Sequence, residues 1–423
     1  MKPRTAIDAA HCMKCGFCMS VCPIYEDDRV ETHVARGRNM LIKMVSEKQL
    51  PVDKTYRAGL SYCLLCRRCE SVCLAGLSPA EITIQARHRV ATETRPSFLE
   101  RLFHRALVSH RAVIAGLAGM ASVLPGVSVT NGRPMRHLVE AVSLLSGNLS
   151  LPQGCRPFRS SRIARCTQPA GDRAAKGRIA LFPGCVFEFF MPQIATDMVT
   201  ALARTGFEVS YPPGLSCCGQ AVYSKGDFKT ARLMAERNIR ALSSFDYVVT
   251  GCGTCGSALK DYPVWFEKTD PMQGRAADLA ARSIDFTDLL DATGFKPPAA
   301  IDGGHTVTYH DPCHMRWHLG ISAPPRRLLQ SIQGVTYREL DRADSCCGLG
   351  GAFGLTHRDI GLRLLDKKMT AIRASGAQTV VTSCPGCLLN LKAGARRHRL
   401  PIQVLHISKF MAGPVAAYNR PIE

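Results

Sequence analysis

The sequence contains no long run of strongly apolar residues. Its start, MKPRTAIDAAHCMKC, lacks the apolar core of a secretory signal peptide. The longest uncharged stretch, 112–130, is rich in Gly, Ala and Ser and contains Pro125. A membrane-spanning helix needs about 20 strongly apolar residues, so this stretch is a poor candidate. We therefore predict a cytoplasmic protein. A basic segment, FHRALVSHR, precedes the stretch, so peripheral contact with the inner face of the cell membrane and a buried helical pair remain equal alternatives.

Acidic residues are scarce relative to basic ones. The chain has 34 Asp and Glu against 54 Lys and Arg, a formal net charge of +20. Such a surface can attract nucleic acid, anionic lipid or an acidic protein. The basic residues are spread along the chain and no nucleic-acid-binding motif accompanies them, so we expect no nucleic-acid partner. Docking on a membrane or on a partner subunit fits better.

Motifs for nucleotide cofactors and for hydrolysis are also missing. No GxGxxG lies between a predicted strand and a helix, and neither a P-loop nor a Ser–His–Asp elbow is present. The chain thus offers no dinucleotide fingerprint. We therefore expect no flavin on this chain.

Cysteine is abundant instead. Eighteen of the 20 cysteines fall into four spaced sets. Disulfide frameworks belong mainly to short secreted chains, whereas this chain has 423 residues. Thiolates at such intervals are typical of iron–sulfur proteins, so the sequence favours electron transfer.

The first two sets have the spacing C-x2-C-x2-C-x3-C of two-cluster ferredoxins. In those proteins the fourth Cys of each run binds the other cluster. The spacing predicts one [4Fe–4S] cubane on Cys12, Cys15, Cys18 and Cys73, and a second on Cys22, Cys63, Cys66 and Cys69. Pro23 follows the first run as usual, but Leu74 replaces Pro after the second. A pair of zinc sites is the alternative, although zinc usually takes two separated CxxC pairs.

The other two sets lie in an internal duplication. In the first copy, predicted strands at 178–182, 207–211 and 247–250 each precede cysteines. In the second copy, the strands at 305–310, 335–340 and 379–382 do the same. Helical stretches alternate with these strands, which predicts parallel α/β layers. Ligands of such sheets bind beyond the carboxyl ends of the strands, so distant thiols can converge on one site per copy.

Both copies resemble the cysteine-rich CCG domain, in which a single Cys, a Cys-Cys-Gly and a CxxC are widely spaced. The first copy carries LFPGC, SCCGQ and GCGTC, and the second carries HDPCH, SCCGL and SCPGC. In heterodisulfide reductase such domains hold non-cubane [4Fe–4S] clusters. The resemblance implies one or two further iron–sulfur clusters on these sets, and a simpler cluster or a zinc ion with a spare thiol is the alternative at either site. The first set is Cys185, Cys217, Cys218, Cys252 and Cys255, and the second is Cys313, Cys346, Cys347, Cys384 and Cys387.

Nearly the whole chain resembles the iron–sulfur subunits of glycolate oxidase. The stretches CMKCGFCMSVCPIY, ARGRNMLIK and CCGLGGAFGLTHRDI carry the likeness. The resemblance implies an electron-transfer subunit of a flavoprotein 2-hydroxy-acid oxidase of the glycolate-to-glyoxylate type. It would take electrons from the flavin of a separate, FAD-containing oxidase or dehydrogenase subunit and deliver them to a quinone or another acceptor. IQARHRVATETRPSFLERL is similar to the corresponding subunit of anaerobic glycerol-3-phosphate dehydrogenase, which is one alternative. The others are a heterodisulfide-reductase-like catalytic subunit and a zinc-binding interaction protein.

These patterns predict an α+β multidomain protein. An α-helical, ferredoxin-like two-cluster domain at 1–100 is followed by a connector at 101–177, for which docking on a membrane or partner is one of the alternatives. Two duplicated α/β cysteine-rich domains follow at 178–300 and 301–423.

Smaller predictions concern single residues. The helical stretch 35–50 is expected to bury Leu41, Ile42 and Met44 and to expose Arg36, Arg38 and Lys43. The histidines around Cys313 have two possible roles. They are expected mainly to be satisfied by backbone, and tuning or binding a metal is the alternative: His310, His314 and His318. Cys155 and Cys166 lie outside the sets and are expected to be inert.

Overall fold

The computed structural model describes residues 8–93, 166–170, 175–298 and 300–413. The segment before residue 166 includes most of the predicted connector, so the uncharged stretch 112–130 and Cys155 lie outside the described residues. Among those described, no helix combines the length and apolarity that membrane crossing requires.

The N-terminal part is helical, as predicted. Asp53 begins the fourth helix by accepting a hydrogen bond from the backbone N–H of Tyr56 at 2.8 Å. The helix predicted at 79–93 has those bounds. The helix predicted at 35–50 ends at Ser46, because Lys48 adopts a left-handed backbone with φ 60°. The α-helices are Phe17–Val21, Pro23–Asp28, Ala35–Ser46, Lys54–Ser61 and Pro79–Glu93, with short 3-10 helices at Ala9–His11, Glu31–His33 and Arg68–Glu70.

The first duplicated copy forms a five-stranded sheet. Its strands are β1 (Cys166–Thr167), β2 (Arg178–Leu181), β3 (Glu208–Ser210), β4 (Tyr247–Thr250) and β5 (Ser283–Asp285). They lie in the order β1-β3-β2-β4-β5. Strands β2 to β5 pair in parallel, as the alternation of strands and helices predicts, and β1 adds an antiparallel edge. The helices are Gly184–Phe189, Pro192–Ala203, Gln220–Tyr223, Phe228–Ala241, Gly253–Trp265, Pro271–Arg282 and Phe286–Ala292.

The second copy forms a parallel four-stranded sheet in the order β7-β6-β8-β9. Its strands are β6 (Ala300–Tyr309), β7 (Gln333–Tyr337), β8 (Thr379–Thr382) and β9 (Gln403–His406). Its helices are Ala323–Gln330, Phe353–Thr356, Arg358–Ser375, Pro385–Arg397 and Ser408–Ala412, with a π-helical turn at His314–Leu319.

One apolar core runs through all three parts. It includes Leu65 and Ile84 of the helical part, strands β2 and β4 of the first sheet, and β8 of the second. Because burial of apolar surface is the main stabilising contribution in folding, this shared core fixes the helical part against both sheets.

Candidate iron–sulfur sites

The first ferredoxin-like run lies at the surface. Cys12 and Cys18 are half-buried and Cys15 is exposed. Cys12 and Cys73 pack against the same small apolar cluster, which contains Leu77 and Ile82. The fourth Cys of the second run is therefore brought to the first run, in the crosswise arrangement that the spacing predicts.

The second ferredoxin-like site is a cavity. Its lining includes Cys22 from the first run together with Cys63, Cys66 and Cys69 from the second. The backbone N–H of Leu65 points to the Cys63 Sγ at 3.4 Å. Such N–H···S contacts stabilise thiolates and contribute to cluster potentials.

A buried cation also lines this cavity. Arg38 lies on helix Ala35–Ser46 and is 3% exposed, so the prediction that its side chain is exposed was wrong. Its Nη1 donates to the His33 carbonyl, while its Nε has no partner among the described residues. Burial acts to lower the pKa of Arg38, but the thiolates of Cys63 and Cys22 outweigh it and raise that pKa. A guanidinium that faces thiolates has a reason to be buried that helical periodicity does not reveal.

Replacing Arg38 with Met should lower the reduction potential of the second cubane. The change removes a positive charge beside a negatively charged site, so the reduced state becomes less favourable. Redox titration followed by electron paramagnetic resonance (EPR) would measure the shift. Lys43→Met is the matched control, because Lys43 lies on the same helix in an ion pair with Glu47 at 3.7 Å. An unchanged potential in Arg38→Met would contradict this role.

The first cysteine-rich site forms beyond the carboxyl ends of three parallel strands. Cys185 follows β2, the pair Cys217–Cys218 follows β3, and Cys252 follows β4. The Sγ atoms of Cys185 and Cys217 are 3.7 Å apart. Hydrogen bonding to Cys217 and burial raise the pKa of Cys185, and hydrogen bonding to Cys218 raises that of Cys255. All five predicted thiols of this copy are therefore brought together.

The second cysteine-rich site repeats this arrangement on the other sheet. Cys347 and Cys387 have Sγ atoms 3.5 Å apart. The Gly348 N–H points to the Cys346 Sγ at 3.3 Å. Burial raises the pKa of Cys313, and the charges of Cys347 and Cys384 add to that effect. Five thiols again converge.

Steric constraints explain why glycine follows each pair of cysteines in the two Cys-Cys-Gly motifs. Gly219 and Gly348 both adopt positive φ, at 83° and 92°. A Cβ on Gly348 would lie 2.2 Å from the Gly361 carbonyl oxygen, and one on Gly219 would lie 3.0 Å from the Trp265 ring. Only glycine turns the chain this sharply so close to a packed helix.

The histidines near Cys313 differ from one another. His314 is satisfied as predicted, since its Nε2 lies 3.0 Å from the Leu65 carbonyl oxygen. His318 contacts Ser257 and lies 3.3 Å from Asp261. His310 departs from the favoured prediction: it is 1% exposed, and neither ring nitrogen has a backbone partner among the described residues. Its ring interacts with Cys347 instead, and Cys346, Cys387 and His310 together lower the pKa of that thiol. One of its nitrogens and the Cys347 and Cys387 Sγ atoms all lie within 4.8 Å of one another.

The sites adjoin one another. The charge of Cys66, in the second ferredoxin-like site, acts on both Cys313 and Cys346 of the second cysteine-rich site. Cys66 and Cys346 also pack against one apolar cluster. Between the two sheets, the Gly253 N–H donates to the Ser383 carbonyl oxygen at 3.3 Å, and the neighbouring thiols Cys252 and Cys384 shift each other's pKa. The thiols of the second ferredoxin-like site therefore lie beside those of the second duplicated site, which in turn lie beside those of the first.

The chemistry of these donors fits iron–sulfur clusters. Burial raises the pKa of the Cys66 thiol to about 12 and that of Cys69 well above its usual range. Thiolates that are crowded together in buried sites need a cation to compensate their charge. Sulfur ligands favour iron–sulfur clusters or zinc as that cation. Cys252 and Cys384 are the N-cap residues of Gly253–Trp265 and Pro385–Arg397, where the helix dipole favours negative charge.

Cys166 stands apart from these sites. It lies half-buried on the edge strand β1, whose residues pair with Val209 and Ser210. It is not brought to any of the four sets.

Two protein-family models match the chain. A 4Fe-4S dicluster domain matches residues 8–77. A cysteine-rich domain matches twice, at residues 179–260 and 307–392. Iron–sulfur cluster binding and the internal repeat are thus supported independently of the geometry.

Curated relatives match over different lengths. A "Probable glycolate oxidase iron-sulfur subunit" of Bacillus subtilis (strain 168) is 30% identical over 417 residues, covering 95% of this chain and 93% of the relative. "Lactate utilization protein A" of Oceanobacillus iheyensis is 32% identical over 235 residues, covering 55% of this chain and 96% of the relative. The protein of that name in Geobacillus kaustophilus is 33% identical, covering 55% of this chain and 98% of the relative.

Proposed function

Because this chain belongs to the family of glycolate oxidase iron–sulfur subunits, we propose that it is the electron-transfer subunit of a flavoprotein 2-hydroxy-acid oxidase complex. A flavin on a partner subunit takes two electrons from the hydroxy acid. This chain receives them and passes them to a quinone or another acceptor. Glycolate, oxidised to glyoxylate, is the proposed substrate.

The continuity of sulfur ligands is the observation that carries this proposal. Cys66 and Cys346 pack against one apolar cluster, and the charge of Cys66 acts on Cys313. Cys252 and Cys384 act on each other beside the hydrogen bond from the Gly253 N–H to the Ser383 carbonyl oxygen. Bound iron–sulfur clusters accept and release single electrons, which is the chemistry needed beside a two-electron flavin. A chain of adjoining sites is expected of an electron carrier and is not needed by a protein that binds structural zinc.

The proposed cofactors are two [4Fe–4S] cubanes and one or two further clusters. The crosswise ligand sets of the cubanes are supported by the shared packing of Cys12 and Cys73 and by the cavity that Cys22 shares with Cys66. Non-cubane [4Fe–4S] clusters are proposed for the duplicated sites, because five thiols exceed what a cubane needs.

The partner is proposed to dock beside the first cubane. Cys15 is the exposed cysteine among the described residues. Met13 and Phe17, on either side of it in sequence, are 66% and 52% exposed, and Leu74, next to Cys73, is 64% exposed. Exposed apolar residues around a surface cluster suit a subunit interface through which electrons pass.

Replacing Phe17 with Asp should slow reduction of this chain by its flavoprotein partner by roughly tenfold, because a lost apolar interface anchor typically costs more than 1 kcal/mol. The iron content should stay unchanged. Stopped-flow reduction of the mixed subunits would measure the rate. Leu233→Asp is the matched control, since Leu233 is 45% exposed on helix Phe228–Ala241, away from the ferredoxin-like runs. Equal rates in both variants would argue against docking beside Cys15.

Anaerobic co-purification tests the function as a whole. A flavoprotein should co-purify with the tagged chain, and the complex should oxidise glycolate while it reduces an artificial electron acceptor. Lactate and glycerol 3-phosphate are the substrate comparisons, since two relatives are named for lactate utilization. Oxidation of glycolate by the chain without any flavoprotein would contradict the proposal. Turnover of a disulfide by the isolated chain with an artificial donor would favour the heterodisulfide-reductase-like alternative instead.

A further inference from the structure

The imidazole of His310 lies at the carboxyl end of β6, in the second cysteine-rich site. Other buried histidines have oxygen partners: His305 contacts the Thr379 hydroxyl at 2.8 Å, and His406 contacts the Gly251 carbonyl oxygen at 3.0 Å. His310 is 1% exposed with no oxygen partner for either ring nitrogen among the described residues, and its ring interacts with the Cys347 thiol instead. A buried imidazole that faces a thiol and no oxygen is suited to bind a metal ion together with that thiol.

Two thiols lie close enough to His310 to bind the same metal ion. One nitrogen of His310 lies within 4.8 Å of the Cys347 and Cys387 Sγ atoms, which are 3.5 Å apart. Ligands at about 2.0–2.3 Å from a tetrahedral metal ion lie within that range of one another. The three donors are therefore spaced to bind a single metal ion.

The first copy lacks this donor. Counting back three residues from the single cysteine of each copy gives Phe182 before Cys185 and His310 before Cys313. Phe182 is fully buried and belongs to the apolar core. The duplication therefore keeps the five thiols but not the sixth donor, so the two sites differ chemically.

We propose that His310 is a ligand, through a ring nitrogen, of the iron that Cys347 and Cys387 share in the second cysteine-rich site. This inference rests on the proposed function, because it takes the metal there to be the iron of a cluster. A neutral imidazole adds no negative charge to a site, and nitrogen ligation raises cluster potentials relative to all-thiolate ligation.

Nitrogen hyperfine coupling tests the ligand directly. The full-length chain is labelled with 15N-histidine, and pulsed EPR is recorded on the cluster signal that Cys387→Ser abolishes. We expect a strong coupling typical of directly bound nitrogen. It should vanish in His310→Phe, which places the residue of the first copy in the second. It should persist in His314→Phe, because the His314 ring is already held by the Leu65 carbonyl and the Thr254 hydroxyl, 3.1 Å from its Nδ1.

His310→Phe could lose the nitrogen coupling simply because it loses the cluster, so a second variant is needed. His310→Cys supplies a thiolate instead, so the site should retain iron, lose the nitrogen coupling and shift to a lower reduction potential. A strong coupling that survives in His310→Cys would overturn the inference. A weak coupling in the wild-type chain, typical of a hydrogen bond to sulfur, would also overturn it.

The metal content separates this inference from the proposed function. Iron at the second site without histidine coupling would overturn the role of His310 and leave electron transfer intact. Zinc at the second site would overturn the inference and also remove that site from the proposed electron route. Elemental analysis of the Cys387→Ser variant against the wild-type chain identifies the metal concerned.

Discussion

Replacing Cys66 with Ser should remove the iron of the second cubane and slow electron transfer through the complex by about 100-fold or more. Loss of even an outer hydrogen-bond partner of a metal ligand reduces metal affinity by roughly 10–100-fold, and loss of the ligand itself has a larger effect. Cys66 lines the cavity with Cys22, Cys63 and Cys69. Its thiol also adjoins the second cysteine-rich site. The variant therefore interrupts the route where the helical part meets the duplicated domains.

Iron analysis and steady-state turnover of the complex with a hydroxy acid would measure this effect. Cys166→Ser is the matched control, because Cys166 lies on an edge strand outside every set. The control should keep its iron and its turnover rate. Full iron and normal turnover in Cys66→Ser would mean that the second cubane is not on the route.

Replacing Arg67 with Met should reduce the free energy of unfolding by about 3–5 kcal/mol, the cost of leaving one member of a buried ion pair uncompensated. Arg67 donates to Asp261 across the junction between the helical part and the first sheet, with an Nη2–Oδ2 distance of 2.6 Å. Their side chains are only 1% and 7% exposed. Glu70 lies 3.6 Å from the other guanidinium nitrogen. The pair therefore fixes the orientation of the ferredoxin-like site against the duplicated domains.

A double-mutant cycle with Asp261→Asn measures the interaction energy of Arg67 with Asp261 separately from any effect on the neighbouring cluster ligands. Combining the two changes should cost less than the sum of the single changes, because neither charge is then left alone. Anaerobic urea unfolding at matched iron content would measure it. Arg89→Met is the control: Arg89 and Glu93 form an exposed i,i+4 pair, so its loss should cost only about 0.3–0.5 kcal/mol. Additive losses in the cycle would show that Arg67 and Asp261 do not stabilise each other.

The repeating elements could be predicted from local sequence. YVVT and TVVT are strands at the bounds that their β-branched residues indicate, and PAEITIQARHRVATE is the helix Pro79–Glu93. Strands that alternate with helices pair in parallel for general steric reasons, so the two sheets followed from the order of elements. The antiparallel edge strand β1 was not predicted, because two residues carry no periodicity.

The burial and the role of side chains that contact residues distant in sequence could not be predicted. Arg38 lies between the basic residues Arg36 and Lys43 in sequence, yet it is buried because the thiols of another run lie opposite it. The sequence allowed His310 either a backbone partner or a metal, and only the placement of Cys347 and Cys387 beside it favours the second role. The one available signal was the difference between the copies, with a phenylalanine in the first where the second has His310. The contact between the second ferredoxin-like site and the second sheet depends on domain packing, which spacing does not encode.

Freeze-quench EPR tests the central claim, that this chain carries electrons away from a flavoprotein partner, most directly. The chain is mixed anaerobically with a 2-hydroxy acid, with and without the partner, and the cluster signals are followed in time. We predict that the clusters become reduced only when the partner is present, and that Cys66→Ser shows fewer reduced clusters. Reduction of the clusters by the hydroxy acid without the partner, or an unreduced chain in the active complex, would contradict the account.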